Sequence, residues 1–551
     1  MKPSSFCSIA TFGRHDELFG LLLTLSIHHR NCRVYCAVDT ITKEFIEEYS
    51  PKLDLEIYWT VSLDEYSGLD RDSMEKNGVW NDFLMQKAMI IDEALKHEED
   101  TLFLDSDILL LDTIDNIDNS QEIGVSPHYI KDSDVSLYGY YNGGVMWTNQ
   151  KSLKDDWVEF TKSSRYCDQA AIEDLVKKYD TFEFEENYNF SWWRITQSNV
   201  PPEKIVSNLS IQDNRIHYKN KPLKFIHTHF YEQDLKAPSE LSRTIAGFND
   251  LMIQGLNAIK DYRTLLIINR MINGEWIIKL PKQPMDYPWN HSNDSFRELL
   301  RLLEDKNSDL KIEENSESGH LWLGDNILLY DRPTTLWFNR EVLQSYKMLL
   351  GNGDVEEEAS HLRQNKLDVS PWIFWPRKPK VLEEILQADK ILNYSSRDIE
   401  SIFIGNYEND TQKQFRNTDV DWKSFITEFH CTSGDKHKFT QEEYLNKLRN
   451  SKYGLCLRGF GSKCHREVEL MAFGTVPLIT PEVSIESYMD APIENVHYIK
   501  ISDPDDARKK ISDITEDEWT QMSKACYDWY QKNVHSDNCW NNTLNSLFYD
   551  S

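Results

Sequence analysis

Long apolar runs are missing from this 551-residue chain, and no stretch approaches the ~20 consecutive apolar residues that cross a bilayer. The opening MKPSSFCSIATFG also lacks the charged-then-apolar pattern of a secretory leader. Cysteine is sparse and patternless. The nine cysteines are odd in number and never spaced as CxxC, which argues against both a disulfide framework and a zinc cluster. The expectation is a soluble, cytoplasmic protein with no membrane span, in a reducing compartment. Basic charge is short as well: 61 Lys+Arg face 91 Asp+Glu, a net charge of −30. Such a surface is set against nucleic acid and anionic lipid. An anionic ligand therefore needs a local cation, either a metal or a few arginines.

What is present is length and alternation. The chain is too long for one core and predicts several domains. Over the first 240 residues strand and helix signals alternate, the pattern of an α/β domain with a mainly parallel sheet. FCSIATF, CRVYCAVD and LEIYWTV read as strands. DELFGLLLTLSIHH places Leu18, Leu21, Leu22 and Leu25 on one helical face, and WNDFLMQKAMIIDEALKH does the same with Leu84, Ala88, Ile91 and Leu95. A boundary is expected near residue 240. The stretch 261–380 is less regular and ends in the Pro/Trp-rich SPWIFWPRKPK, which suits a packed connector. Beyond it, SIFIGNY, YGLCLRGFG and VHYIKI restore the alternation. The acidic run at 355–360 reads as a solvated face.

Chemistry is suggested first by TLFLDSDILLLD, residues 101–112. Leu102-Phe103-Leu104 reads as the interior of a buried parallel strand, where charge is not expected. At its carboxyl end, however, an open sheet places its ligands, and Asp105 and Asp107 there can hold a hard divalent cation through oxygen. Downstream, YYNGGVMWTN sets Asn142 beside Gly143-Gly144, which permits close backbone approach. Asp168 and Gln169 open a helix, and LKFIHTHF is a short strand ending in His227 and His229.

In order and spacing, these residues resemble the GT-A glycosyltransferases of the glycogenin and lipopolysaccharide-galactosyltransferase type, over roughly residues 4–230. The resemblance implies that Asp105, Asp107 and His227 hold Mn²⁺ (or Mg²⁺) against the diphosphate of a nucleotide sugar, a uridine diphosphate sugar, with retention at the anomeric carbon. It also implies that Asn142, Asp168 and Gln169 line the donor sugar, that Ala10, Thr11 and Phe12 lie under the nucleotide, and that Ser106 joins them. Lys87, on the helix before the aspartates, either adds positive charge or snorkels at the surface. The family's Gly and Lys-Pro-Trp after the histidine are replaced by HTHFYEQD, which leaves His229 as a rival ligand.

A second candidate is YGLCLRGFGSKCHREVELMAFGTVPLI, residues 453–479. A strand ends in Arg458, a Gly459-Phe-Gly461 turn follows, and Ser462 can cap a helix carrying Arg466 and Glu469 one turn apart. A Gly-rich turn at a helix N-terminus is an anion site, and two arginines beside it would clamp a diphosphate without metal. Glu469 could accept from ribose hydroxyls, or pair with Arg466 on a surface helix. The fuller string resembles the carboxyl-terminal half of exostosin-like glycosyltransferases of the GT-B fold, over about 390–540.

The expected fold class is α/β: an N-terminal GT-A nucleotide-diphospho-sugar transferase fold over 1–240, then a GT-B-like, Rossmann-type domain over 241–551 with lobes at about 261–380 and 390–540. The function implied is a bifunctional glycosyltransferase that adds two sugars from nucleotide-sugar donors to a glycan or glycoconjugate acceptor. Its first half would be metal-dependent and its second metal-independent. Two alternatives stand beside it. One is a single active GT-A enzyme with a non-catalytic glycan-binding C-terminal domain. The other is a haloacid-dehalogenase-like phosphatase, whose first motif is also an apolar strand followed by Asp-x-Asp.

Overall fold

The computed structural model describes residues 1–49, 53–228, 230, 240–281, 290–316, 321–330, 347–351, 368–388, 391–407, 419–432, 438–459, 462–485 and 488–549. The chain divides into two units, Met1–Glu275 and Trp276–Ser551, each of the α/β class.

In the first unit, β1 (Ser5–Ala10), β2 (Cys32–Val38), β3 (Leu55–Val61) and β4 (Thr101–Leu104) pair in parallel in the order β3-β2-β1-β4. β1 and β4 are buried along their whole length, as continuous apolar sequence requires, whereas β3 at the sheet edge is exposed at intervals. The chain then turns through the two aspartates into β5 (Ile108–Leu110), followed by β6 (Ile123–Pro127), β7 (Tyr141–Thr148) and β8 (Thr181–Glu183). The main sheet continues β4-β7-β6-β8, with β7 antiparallel to both neighbours and β8 parallel to β6. Then come β9 (Phe190–Ser191), β10 (Leu209–Gln212), β11 (Arg215–Tyr218), β12 (Lys221–Pro222) and β13 (Phe225–His227). β13 pairs antiparallel with β5 and parallel with β9.

The division falls after Glu275 rather than near residue 240, for a physical reason. The helix His15–His28 is buried from Asp16 to Ser26, not on one face alone. Its far side is covered by the helix Tyr262–Asn273. A Cβ on Gly20 would lie 2.5 Å from Met271 Sδ, and the guanidinium of Arg270 meets Asp16 at 3.0 Å with both side chains buried. Residues 240–273 thus complete the first core. The expected long helix after residue 80 is two, Trp80–Leu84 and Gln86–Leu95, and both still bury the predicted apolar positions.

The second unit opens with β14 (Trp276–Pro281), β15 (Leu310–Ser316), β16 (Leu321–Leu323), β17 (Ile327–Tyr330), β18 (Lys347–Leu350) and β19 (Asp368–Pro371), in the order β15-β14-β16-β17-β18-β19. The connector follows. Trp372, Ile373, Phe374 and Trp375 are all buried; Trp375 packs on Phe296 at 4.7 Å between ring centroids, and Phe374 stacks on His465 at 5.3 Å. The acidic run 355–360 lies outside the described residues. Next come β20 (Ile399–Gly405), β21 (Glu428–Cys431), β22 (Ser451–Cys456), β23 (Val476–Ile479) and β24 (Ile499–Lys500), all parallel in the order β21-β20-β22-β23-β24. The winding direction reverses between β20 and β22, so a ligand crevice is expected at their carboxyl ends. Among the described residues, no helix is long and apolar enough to cross a membrane.

Candidate functional site

A cleft of about 860 Å³ opens at the carboxyl ends of β1 and β4, within the usual range for small-molecule sites. Asp105 and Asp107 occupy the turn between β4 and β5. His227 ends β13, and the pairing register puts it opposite Ile108, directly beside that turn. The backbone N–H and hydroxyl of Thr228 both donate to the Asp107 carbonyl, at 2.9 and 3.0 Å, tying the two segments together. His227 Nε2 lies 2.7 Å from Asp107 Oδ1. Ligand atoms of Asp105, Asp107 and His227 all fall within 4.8 Å of one another.

The two glycines of β7 explain how the groups come so close. A Cβ on Gly144 would sit 2.4 Å from Asp105 Oδ2 and 2.9 Å from His227 Cε1; one on Gly143 would sit 2.9 Å from Asp168 Oδ2. Only bare backbone leaves room for the carboxylates and the imidazole. Two carboxylates and one imidazole form a donor set suited to a divalent cation such as Mn²⁺ or Mg²⁺, and the residues present fit one.

Lys87 is buried, not a surface lysine. Its ammonium contacts Asp105 at 2.9 Å and Asp168 at 3.4 Å and donates to the Gly143 carbonyl at 3.2 Å. Burial pulls its pKa down, but the carboxylates of Asp105 and Asp168 outweigh that and hold it above the ordinary lysine value. Burial pushes Asp168 up, opposed by Lys87. Gln169 is held in place: its Nε2 donates to the Tyr138 carbonyl at 2.8 Å, and its Oε1 accepts from Gly143 N–H at 3.4 Å.

Ala10, Thr11 and Ser106 line the cleft together with Asn142. Phe12 does not; its ring stacks on His15 at 4.3 Å outside the lining, while its N–H donates to Asp39. His229 lies outside the described residues. The cleft also contains residues that the sequence reading passed over: His128, Trp192 and Trp193 from one side, Arg71 and Tyr166 from another. Burial drives the His128 pKa down to about 3, aided by the nearby His227 and Arg194. Behind the cleft is Asn189, buried and bonded to both His227 and Asn142. Its only trace in the sequence is an asparagine set among aromatics in NYNF.

In the second unit, Arg458 is half-buried and Gly459 buried after β22; Gly461 lies outside the described residues. Arg466 is buried in the first turn of the helix His465–Ala472. Its Nη2 donates to the Ile404 carbonyl at 2.7 Å, at the end of β20, and its guanidinium lies over Phe403 at 4.7 Å. Nε and Nη1 are buried with no hydrogen-bond partner among the described residues. This places two orphan donors at the carboxyl end of β20, beside the winding reversal. Glu469 is engaged elsewhere: it accepts from the Arg377 N–H at 2.9 Å and from the Tyr444 hydroxyl at 2.6 Å. It forms no ion pair with Arg466 among the described residues.

No protein-family model and no curated protein matches the sequence. Among solved structures, the chain is similar to the crystal structure of the glycosyltransferase GlyE from Streptococcus pneumoniae TIGR4 and to its apo form. Each is 10% identical, with 93% of this chain and 98% of that chain covered, at a TM-score of 0.28. Likeness at that level decides neither fold nor activity.

Proposed function

We propose that the chain is a bifunctional glycosyltransferase. Its first unit would be a metal-dependent, retaining GT-A enzyme, and its second would use another nucleotide sugar without metal at a GT-B-like site. The observation that carries the reading is the convergence of Asp105, Asp107 and His227 on one cleft, with Lys87 and Asp168 buried behind them.

A divalent cation held by those three residues would stabilise the negative charge that develops as a nucleoside diphosphate leaves. Ala10 and Thr11, at the end of β1, lie under the nucleotide, with Ser106 beside the phosphates. Asn142, Asp168 and Gln169 hold the sugar. Lys87 holds the Asp105 and Asp168 carboxylates in place, at 2.9 and 3.4 Å, so neither must reorganise when donor binds. The fixed Gln169 amide and the rings of Trp192 and Trp193 line the same cleft as Asn142 and Asp168.

For the second unit, the supporting observation is Arg466. Its two buried donors, without a hydrogen-bond partner among the described residues, lie beside the topological switch point, where an anionic group would satisfy them. Because Glu469 already serves Tyr444 and the backbone of residue 377, it is a positioning group here rather than a ribose acceptor.

The test uses the full-length protein and a panel of nucleotide sugars, with release of free nucleoside diphosphate as the signal. One donor activity should vanish in chelator and in Asp107→Ala; a second should survive chelator and fall in Arg466→Ala. Loss of every activity in chelator would leave the GT-A enzyme with a binding domain, and hydrolysis of simple phosphomonoesters in place of both would favour the phosphatase.

A further inference from the structure

We infer that Asn189 is the positioning residue that makes His227 a metal ligand, by fixing which ring nitrogen carries hydrogen. The inference rests on the metal-dependent reading of the first unit. It follows from a chain of hydrogen bonds that starts at a group of unambiguous polarity. The backbone N–H of Gly144 donates at 3.1 Å to the side chain of Asn142, so that atom is the oxygen, Oδ1. The same Oδ1 receives the amide of Asn189 at 3.0 Å, so the Asn189 atom facing it is the nitrogen, which also reaches Ser126 Oγ at 3.2 Å. The other end of the Asn189 amide is then its carbonyl oxygen, and this faces His227 Nδ1 at 3.0 Å. A carbonyl oxygen only accepts, so Nδ1 bears the hydrogen. Nε2 is then the ring atom that faces the other candidate ligands, with Asp107 Oδ1 at 2.7 Å; that carboxylate also only accepts, so a cation bound there would take the place of a hydrogen on Nε2, which leaves to solvent.

Every member of the chain is buried, and Asn189 is only 1% exposed. A buried amide is stable only when both its ends are satisfied, and here the two ends face opposite polarities. Aspartate would offer two acceptors and leucine none. The backbone supports the choice: Asn189 has a φ of +46°, a left-handed conformation that asparagine tolerates better than most residues. Gly144 closes the loop, since the residue whose N–H starts the chain is the one whose missing Cβ admits Asp105 and the His227 ring. Metal-ligating histidines characteristically donate their second N–H to such a partner, and loss of the partner weakens metal binding roughly 10- to 100-fold.

The experiment uses full-length protein labelled with ¹⁵N-histidine and Mn²⁺ as the probe. In the metal-free wild type, solid-state ¹⁵N spectra, with the His227 signals assigned by their loss in His227→Asn, should show a hydrogen on Nδ1, whether or not Nε2 also carries one. A neutral ring protonated on Nε2 overturns the inference, whatever any variant does. With Mn²⁺ bound, pulsed electron paramagnetic resonance should show histidine nitrogen coupling that disappears in His227→Asn. Asn189→Gly suits the left-handed backbone and removes the amide; it should bind Mn²⁺ roughly 10- to 100-fold more weakly and lose that coupling. Asn189→Asp keeps an acceptor for the Nδ1 hydrogen and should retain the coupling, while its second acceptor, set against Asn142 Oδ1, should lower the unfolding midpoint. If Asn189→Gly binds Mn²⁺ as the wild type does, with the coupling intact, the inference fails while the metal site stands. If the wild type binds no Mn²⁺, the metal-dependent reading itself fails and takes the inference with it.

Discussion

Replacing Gly144 with alanine adds one carbon where the site has no room for it. Residue 144 has no left-handed backbone requirement, so the chain itself accepts alanine and the effect is one of space alone. The new Cβ would lie 2.4 Å from Asp105 Oδ2, 2.9 Å from His227 Cε1 and 3.0 Å from Asn142 Oδ1. Restoring ordinary contact moves the Asp105 carboxylate by about 1 Å, and a misplacement of that size costs on the order of 100-fold in rate. Overpacking of this kind destabilises a fold by about 1–3 kcal/mol, which a unit of this size survives. Gly143→Ala is the natural partner experiment, because its Cβ would press on Asp168 Oδ2 at 2.9 Å and not on Asp105, Asp107 or His227. Mn²⁺ affinity and turnover are then measured for both variants, with thermal unfolding as the control. Gly144→Ala should lose both affinity and turnover. Gly143→Ala should keep Mn²⁺ affinity and lose turnover. If Gly144→Ala binds Mn²⁺ and releases nucleoside diphosphate like the wild type, Asp105 and His227 do not act together on a metal, and the reasoning is refuted.

Asp107→Ala should abolish chelator-sensitive transfer and leave the unfolding midpoint nearly unchanged, since a carboxylate in a strand-end turn contributes little to the core; a large drop in midpoint would instead show a structural role. Arg466→Ala should lower chelator-insensitive donor use by at least roughly tenfold, because a charge-assisted contact is worth about 1.5–3 kcal/mol and 1.4 kcal/mol is one decade; unchanged donor kinetics would remove Arg466 from the site. A chain ending at residue 240 should be insoluble or molten, whereas one ending at 275 should unfold cooperatively, because only the latter covers the outer face of the helix His15–His28; equal behaviour would place the boundary earlier. Acid should act partly through His29, whose Nε2 accepts from the Ile114 N–H and whose pKa is driven by burial, with Lys2 and His28 adding to it, from 6.5 to about 4. The folded state resists protonation there, so stability is full above pH 6.5 and is lost as pH falls toward 4, by about 3 kcal/mol. In His29→Gln that part of the pH dependence should flatten, as read by denaturant unfolding at several pH values.

The first site was legible in the sequence to the extent that local pattern determines it. Leu102-Phe103-Leu104 ends in carboxylates, and a buried strand that ends in charge announces the carboxyl edge of a sheet. Asn-Gly-Gly announces close approach. Lys87 was not decidable from its helix, because both readings place it at the same position in the turn; burial is decided by Asp105, Asp168 and the Gly143 carbonyl, which come from three other parts of the chain. The structure brings His227 to Asp107 through the antiparallel register of β13 on β5, a pairing across more than a hundred residues. Asn189 was invisible for the same reason, since its function lies in bonds to residues 38 and 47 positions away. Phe12, which the resemblance sets under the nucleotide with Ala10 and Thr11, stacks its ring on His15 outside the cleft lining, a local contact that the strand pattern does not encode.

In the second unit, local spacing misled where long-range polarity decided. Arg466 and Glu469 are one helical turn apart, a spacing that suggests an ion pair, yet each is committed to a different partner. Glu469 accepts from the backbone of residue 377 and from Tyr444, 92 and 25 positions away. The adjacent Glu467 makes no direct ion pair with Arg466 among the described residues; its carboxylate takes the Cys464 N–H to cap the helix, and burial pushes its pKa up to about 7 against the pull of the Arg466 charge. Lys87 and Arg466 are therefore held in opposite ways. Lys87 has its counter-charges built in, so it can hold a site rigid without any ligand. Arg466 has one carbonyl and an aromatic face, and its two remaining donors are expensive to leave buried unless something anionic meets them. In a chain with a net charge of −30, a buried cation with no direct ion pair among the described residues is charge available to a ligand, which is why the second site is read from Arg466 and the strand order and not from the glycines that first drew notice.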